Sequence, residues 1–180
     1  MFLKIGTRAS KLALKQTELV LEEIKKYYHD IRYEIIPIVT TADKIKDRNL
    51  YDIGGKALFL KEKEEALLQD EINLAVHALK DVPGALDPKF KIAAVLERED
   101  PREVFISSKF TSIAQLPLNS RIGTSSVRRR SYLLSLRPDL EIVTFRGNID
   151  SRMRKILAEE VDGSLLTAAG LKRLFLFNPS

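Results

Sequence analysis

Arg121-Ile122-Gly123-Thr124-Ser125-Ser126-Val127-Arg128-Arg129 sets the reading of the whole chain. A short strand, Arg121 to Gly123, ends in a glycine, Ser126 stands where a helix N-cap belongs, and the residues through Leu136 read as a helix. A strand that hands over to a helix through a tight polar turn is the repeating step of α/β proteins.

The same alternation extends both ways. Downstream, the pattern predicts a strand over Leu140 to Phe145, a helix over Ile149 to Leu157 and a strand over Leu165 to Thr167. Upstream, it predicts a strand over Val104 to Ile106 and a short helix near Ile113 to Leu116. The first half has strands over Leu3 to Ile5, Tyr33 to Val39, Leu74 to Ala78 and Ile92 to Leu96. Its helices run from Ser10 to about Tyr28 and from Leu60 to Leu68. The charged run Glu97-Arg98-Glu99-Asp100-Pro101-Arg102 interrupts the rhythm. Two α/β domains are therefore expected, 1–98 and 99–180, with a hinge near 97–102.

The chain has 180 residues, 44% of them hydrophobic and 31% charged, which is the composition of a folding globular protein. No stretch reaches the roughly 18 apolar residues of a membrane span, and the start runs straight into a strand pattern, so a cytoplasmic protein without a membrane partner is expected. There are no cysteines, which excludes disulfides, thiolate metal sites and cysteine nucleophiles from these residues. With two histidines and no cysteine, no metal site is expected.

The net charge of +5 points to an anionic partner. Residues 1–98 carry 17 Lys and Arg against 16 Asp and Glu, whereas residues 99–180 carry 13 against 9. Ten of those 13 cations are arginines, whose planar forks match carboxylate or phosphate oxygens two at a time. They are scattered over loops without interleaved aromatics, so nucleic acid is not the expected partner.

In open α/β sheets, ligands bind beyond the carboxyl ends of the strands. The polar turns fall at such places, and an interdomain cleft lined by them is expected. Thr124, Ser126, Arg128 and Arg129 combine N–H groups, a hydroxyl cap and two forks at one helix N-terminus. An ordinary cap beside surface arginines is the bland alternative, but arginine opposes the dipole there, which favours an anion site. Arg130 should face solvent, since successive helical positions point about 100° apart. Arg146-Gly147-Asn148 with Arg152, and Arg8 with Ser10, repeat the logic more weakly. Asp81, beside Lys80 at a strand end, is the acid/base candidate, although a lone Asp before Val-Pro is more often a turn former. His77 reads as a core histidine. Gly54-Gly55-Lys56-Ala57-Leu58-Phe59 lacks P-loop spacing and reads as a mobile lid carrying Lys56 and Phe59.

Together these segments resemble the porphobilinogen deaminase (hydroxymethylbilane synthase) family. The resemblance runs from Lys4 to about Leu174, through residues 6–14, 54–59, 75–83, 97–102, 123–129, 146–148 and 169–174. It implies two periplasmic-binding-protein (type II)-like α/β lobes around an interdomain cleft. The implied enzyme is a transferase of heme biosynthesis that condenses four porphobilinogen molecules into a linear tetrapyrrole with release of ammonia, building on a dipyrromethane cofactor. By resemblance, Asp81 is the catalytic carboxylate that stabilises the cationic azafulvene left when ammonia departs. Lys80, Ser10, Thr124, Ser126, Arg128, Arg129, Arg146 and Arg173 would bind the cofactor's carboxylates, Arg8 and Arg152 those of the substrate, and Lys56 and Phe59 would cover the cleft.

The chain departs from the family pattern in places. Members usually continue into a third domain whose cysteine carries the cofactor; this chain has no cysteine, and it is expected to lack that domain. Ala78 stands where a serine usually precedes Lys80-Asp81, and Ser164 where an apolar strand residue is expected. The expectation is the N-terminal two-thirds of the enzyme, truncated or completed by a separate chain, with Leu174 to Phe177 exposed. A non-catalytic module that clamps carboxylate-rich pyrroles is the alternative.

Overall fold

Strand β1 (Phe2–Thr7) lies between β2 (Arg32–Pro37) and β3 (Leu74–Ala75), and both neighbours run parallel to it. The computed structural model describes residues 2–41 and 60–177, and the chain divides into two compact units, Met1–Glu97 and Arg98–Ser180. The fold is α/β, with one sheet in each unit.

In the first unit, helix α1 (Lys11–Lys25) begins where the Ser10 hydroxyl accepts the Ala13 N–H at 3.3 Å. Its Leu21 packs with Leu3, Ile5 and Ile31 in one core. Helix α2 (Lys61–Leu68) buries Lys63 and Ala66. Because all three strands are parallel, the loops after Thr7, Pro37 and Ala75 leave from the same edge of the sheet.

The second unit has strand order β4 (Glu103–Ile106), β7 (Gly163–Thr167), β5 (Arg121–Gly123) and β6 (Glu141–Val143). β5, β6 and β7 are parallel, and β4 is antiparallel to β7, so the sheet is mixed. Alternate residues feed two cores. Phe105, Ile122, Ile142 and Leu165 face Leu133 of helix α3 (Val127–Leu136), while Ile106 and Val143 face Phe145 and Ile156 of helix α4 (Ile149–Leu157). Helix α5 (Ala168–Arg173) follows β7 directly.

Several expectations are corrected. Residues 92–96 form no strand: Ile92, Val95 and Leu96 are 52%, 66% and 38% exposed. An apolar run becomes a strand only when a ladder partner lies beside it, and among the described residues the sheet has none beyond β3. The strand expected over 74–78 ends at Ala75, because the chain turns into a single 3₁₀ turn, Leu79–Asp81. The strand expected over 140–145 is trimmed to Glu141–Val143. Helix α5 was not expected at all. Ser164 is buried in its strand because its hydroxyl donates to the Gly123 carbonyl at 2.7 Å. Of the run expected to be exposed, Phe175 and Leu176 are, whereas Leu174 and Phe177 are half-buried. No helix among the described residues is long and apolar enough to cross a membrane.

Candidate functional site

The parallel strands β7, β5 and β6 are neighbours, so their carboxyl ends share one edge, and from it start α5, α3 and α4. Each of these helices is capped by its own sequence. Ser126 accepts the Arg129 N–H at 3.4 Å, Asn148 the Ser151 N–H at 2.8 Å and Thr167 the Gly170 N–H at 3.2 Å. The turn before α3 is fixed further, because the Thr124 hydroxyl accepts the Ser126 N–H at 3.1 Å and Ser125 accepts the Phe145 N–H at 3.0 Å. Thr124 is buried.

Three arginines meet at this edge. Arg152 is pushed down to about 10, first by burial and then by the positive charges of Arg129 and Arg146. Its Nε donates to the Gly147 carbonyl at 3.0 Å, and Gly147 sits at φ +120, a conformation that L side chains rarely adopt. Like charges brought together under partial burial are unfavourable by themselves, and an anion placed among them removes the repulsion.

Arg128 and Arg129 are not open forks. Both hold Glu103, the first residue of β4, which the antiparallel pairing sets opposite Thr167 at the same edge. Arg129 donates through Nε at 3.2 Å and Nη2 at 2.8 Å, and Arg128 through Nη2 at 2.5 Å. Burial pushes the Glu103 carboxyl up, but the bonds from Arg129 and Arg128 outweigh it and the net direction is down. Arg129 is buried and Arg130 is exposed, as helical spacing requires.

Among the described residues, no hydrogen bond or ion pair ties Arg173 to the cluster. This arginine ends α5, close enough to Glu99 to lower that carboxyl, and its Nε is buried with no hydrogen-bond partner among the described residues.

In the first unit, Arg8 and Ser10 lie on the loop after β1, and Lys80 and Asp81 lie on the 3₁₀ turn that follows β3. Both segments leave the same sheet edge. Asp81 is half-buried, its N–H bonds the Ala78 carbonyl at 2.9 Å, and its carboxylate has no partner among the described residues. His77 is half-buried and held down to about 4, by burial and then by the Lys63 charge. Lys56 and Phe59 lie outside the described residues.

Sequence reasoning missed Glu103 and Thr167. The only available signal for Glu103 was a carboxylate opening an apolar strand, and its meaning depends on the direction of β4.

The sequence model of a family described as porphobilinogen deaminase, dipyromethane cofactor binding domain, matches residues 3–179. The chain belongs to the porphobilinogen deaminase family. Curated porphobilinogen deaminases are similar to it over 177 residues, 98% of the chain. One from Rickettsia rickettsii (strain Sheila Smith) is 56% identical, with 50% of its own length covered. Those from Rickettsia canadensis (strain McKiel) and Rickettsia bellii (strain OSU 85-389) are 56% and 57% identical, each with 59% covered. The chain thus spans between half and three-fifths of the length of these porphobilinogen deaminases, and the match runs through both of its units.

Proposed function

We propose that this chain carries the porphobilinogen-binding and catalytic residues of a cytoplasmic porphobilinogen deaminase, a transferase that joins four porphobilinogen molecules with release of ammonia. The convergence of Arg129, Arg146 and Arg152 carries this reading, since each porphobilinogen brings an acetate and a propionate that would neutralise such a cluster. The Nε of Arg173, buried and without a hydrogen-bond partner among the described residues, offers a further donor. Residues 1–98 and 99–180 are read as two periplasmic-binding-protein-like lobes that clamp the ligand in a cleft.

The residues present fit the carboxylates of a dipyrromethane group. Arg129 and Arg146 would hold them, with Thr124, Ser126, Arg128 and Arg173 as further donors and Ser10 and Lys80 contributing from the first lobe. Such a group supplies the pyrrole carbon to which the first substrate is joined. None of the 180 residues is cysteine, so what these residues would contribute to holding the group is charge and hydrogen bonds. Arg8 and Arg152 would seat the incoming substrate. The carbon–nitrogen bond of its aminomethyl group, protonated as the ammonium, breaks with the electron pair on nitrogen, ammonia leaves, and the positive charge passes to the pyrrole, where the Asp81 carboxylate would offset it.

The test is porphobilinogen turnover, following ammonia release and tetrapyrrole formation together. Turnover abolished by Asp81→Ala supports the assignment. Turnover untouched by that substitution removes Asp81 from the chemistry, and binding without ammonia release reduces the chain to a carboxylate clamp.

A further inference from the structure

Arg129 occupies an unfavourable position for a cation: it is 8% exposed and close enough to Arg152 to disfavour that residue's charge. A long charged side chain in such a place would swing into solvent unless something held it. Glu103 holds it by two bonds, and reaches it because β4 alone in its sheet runs against its neighbour and so starts at the edge where the helices begin. The grip takes the Nε hydrogen and one on Nη2, and leaves the other guanidinium hydrogens for a ligand. Arg128, one position earlier and exposed, shares Glu103 Oε1.

Taking this edge as the carboxylate-binding site proposed above, we infer that Glu103 is a positioning residue: it fixes the Arg129 guanidinium beside Arg146 and Arg152, so that a ligand carboxylate meets a fork already in place. An alternative role, in which Glu103 competes with the ligand for the arginines, makes the opposite prediction about affinity, so the two are separable.

Two measurements on the whole chain test this. In the wild type, the Arg129 Nε–H, assigned by its loss in Arg129→Lys, should give a resolved nuclear magnetic resonance signal slow to exchange with water. Glu103→Gln should send it into the fast-exchanging envelope of exposed arginines, and Glu103→Asp should retain part of it. In calorimetric titration with porphobilinogen, Glu103→Gln should weaken binding about tenfold, the scale of a lost charge-assisted contact. Glu103→Asp should restore part of that loss. Glu103→Gln added to Arg129→Lys should weaken binding no further, because the effect passes through Arg129.

A slow-exchanging Arg129 signal that survives Glu103→Gln would overturn the inference. So would porphobilinogen binding as tight as the wild type, or tighter, in that variant. If the wild-type chain binds no porphobilinogen, the proposed function fails, while the resonance still decides whether Glu103 fixes Arg129.

Discussion

The buried hydroxyl of Ser164 on β7 donates to the carbonyl of Gly123, its paired residue on β5, at 2.7 Å. Gly123 also leaves space for the Phe145 ring, which a Cβ would approach to 2.5 Å. This corner, the last ladder pair before the turn that carries Thr124 and Ser126, therefore rests on one hydroxyl and one missing side chain. Ser164→Ala should cost about 1 kcal/mol in denaturant unfolding, the usual net worth of such a bond. A full-stability variant would show that the bond contributes nothing.

Gly147 combines a φ of +120 with a carbonyl that holds Arg152. Gly147→Ala should lose about 1–3 kcal/mol from the strained backbone, and the new Cβ would meet Ser151 at 2.9 Å. Displacing the carbonyl should also weaken porphobilinogen binding. Thermal unfolding and titration of one preparation check both effects.

Arg152 is destabilised by burial and by the neighbouring charges of Arg129 and Arg146. Arg152→Gln should therefore raise the stability of the ligand-free chain by about 1 kcal/mol and lower its affinity for porphobilinogen. A variant that loses stability would show that the Gly147 bond outweighs the repulsion.

His77 is held down to about 4 from an ordinary 6.5. The unfolded chain takes up this proton below 6.5 and the folded chain only near 4, so stability is complete above 6.5 and falls as the pH drops through that window. The loss should approach about 3 kcal/mol at the acid end. His77→Gln should flatten the difference, which urea unfolding at pH 7, 5.5 and about 4 would measure.

Much of this architecture was legible where local chemistry specifies it. Gly123 and Ser126 mark the strand end and helix cap of residues 121–136, and the helix over Ile149–Leu157 matches its apolar spacing. Readings that depend on a distant partner were not legible. The apolar residues of 92–96 permit a strand but cannot supply its neighbour. Helix α5 is too short for periodicity to register. Ser164 looked misplaced because its acceptor lies 41 residues away. The arginines were visible as candidates, yet their division into a cluster, a pair on Glu103 and a separate Arg173 follows from the direction of β4 and the lengths of the helices.

That reversed strand also fixes where the second unit's chain begins. Had β4 run with its neighbours, residues 98–102 would enter at the far end of the sheet, a strand's length from the arginines. Instead they lead into Glu103 without an intervening residue, and Asp100, paired with Arg102 at 2.7 Å and Lys172 at 3.1 Å, moors the approach. The same stretch is tied to α5, because the Arg102 carbonyl accepts the N–H of buried Ala168 at 2.9 Å, so the entry of the chain is anchored at once to the charged edge and to the interior.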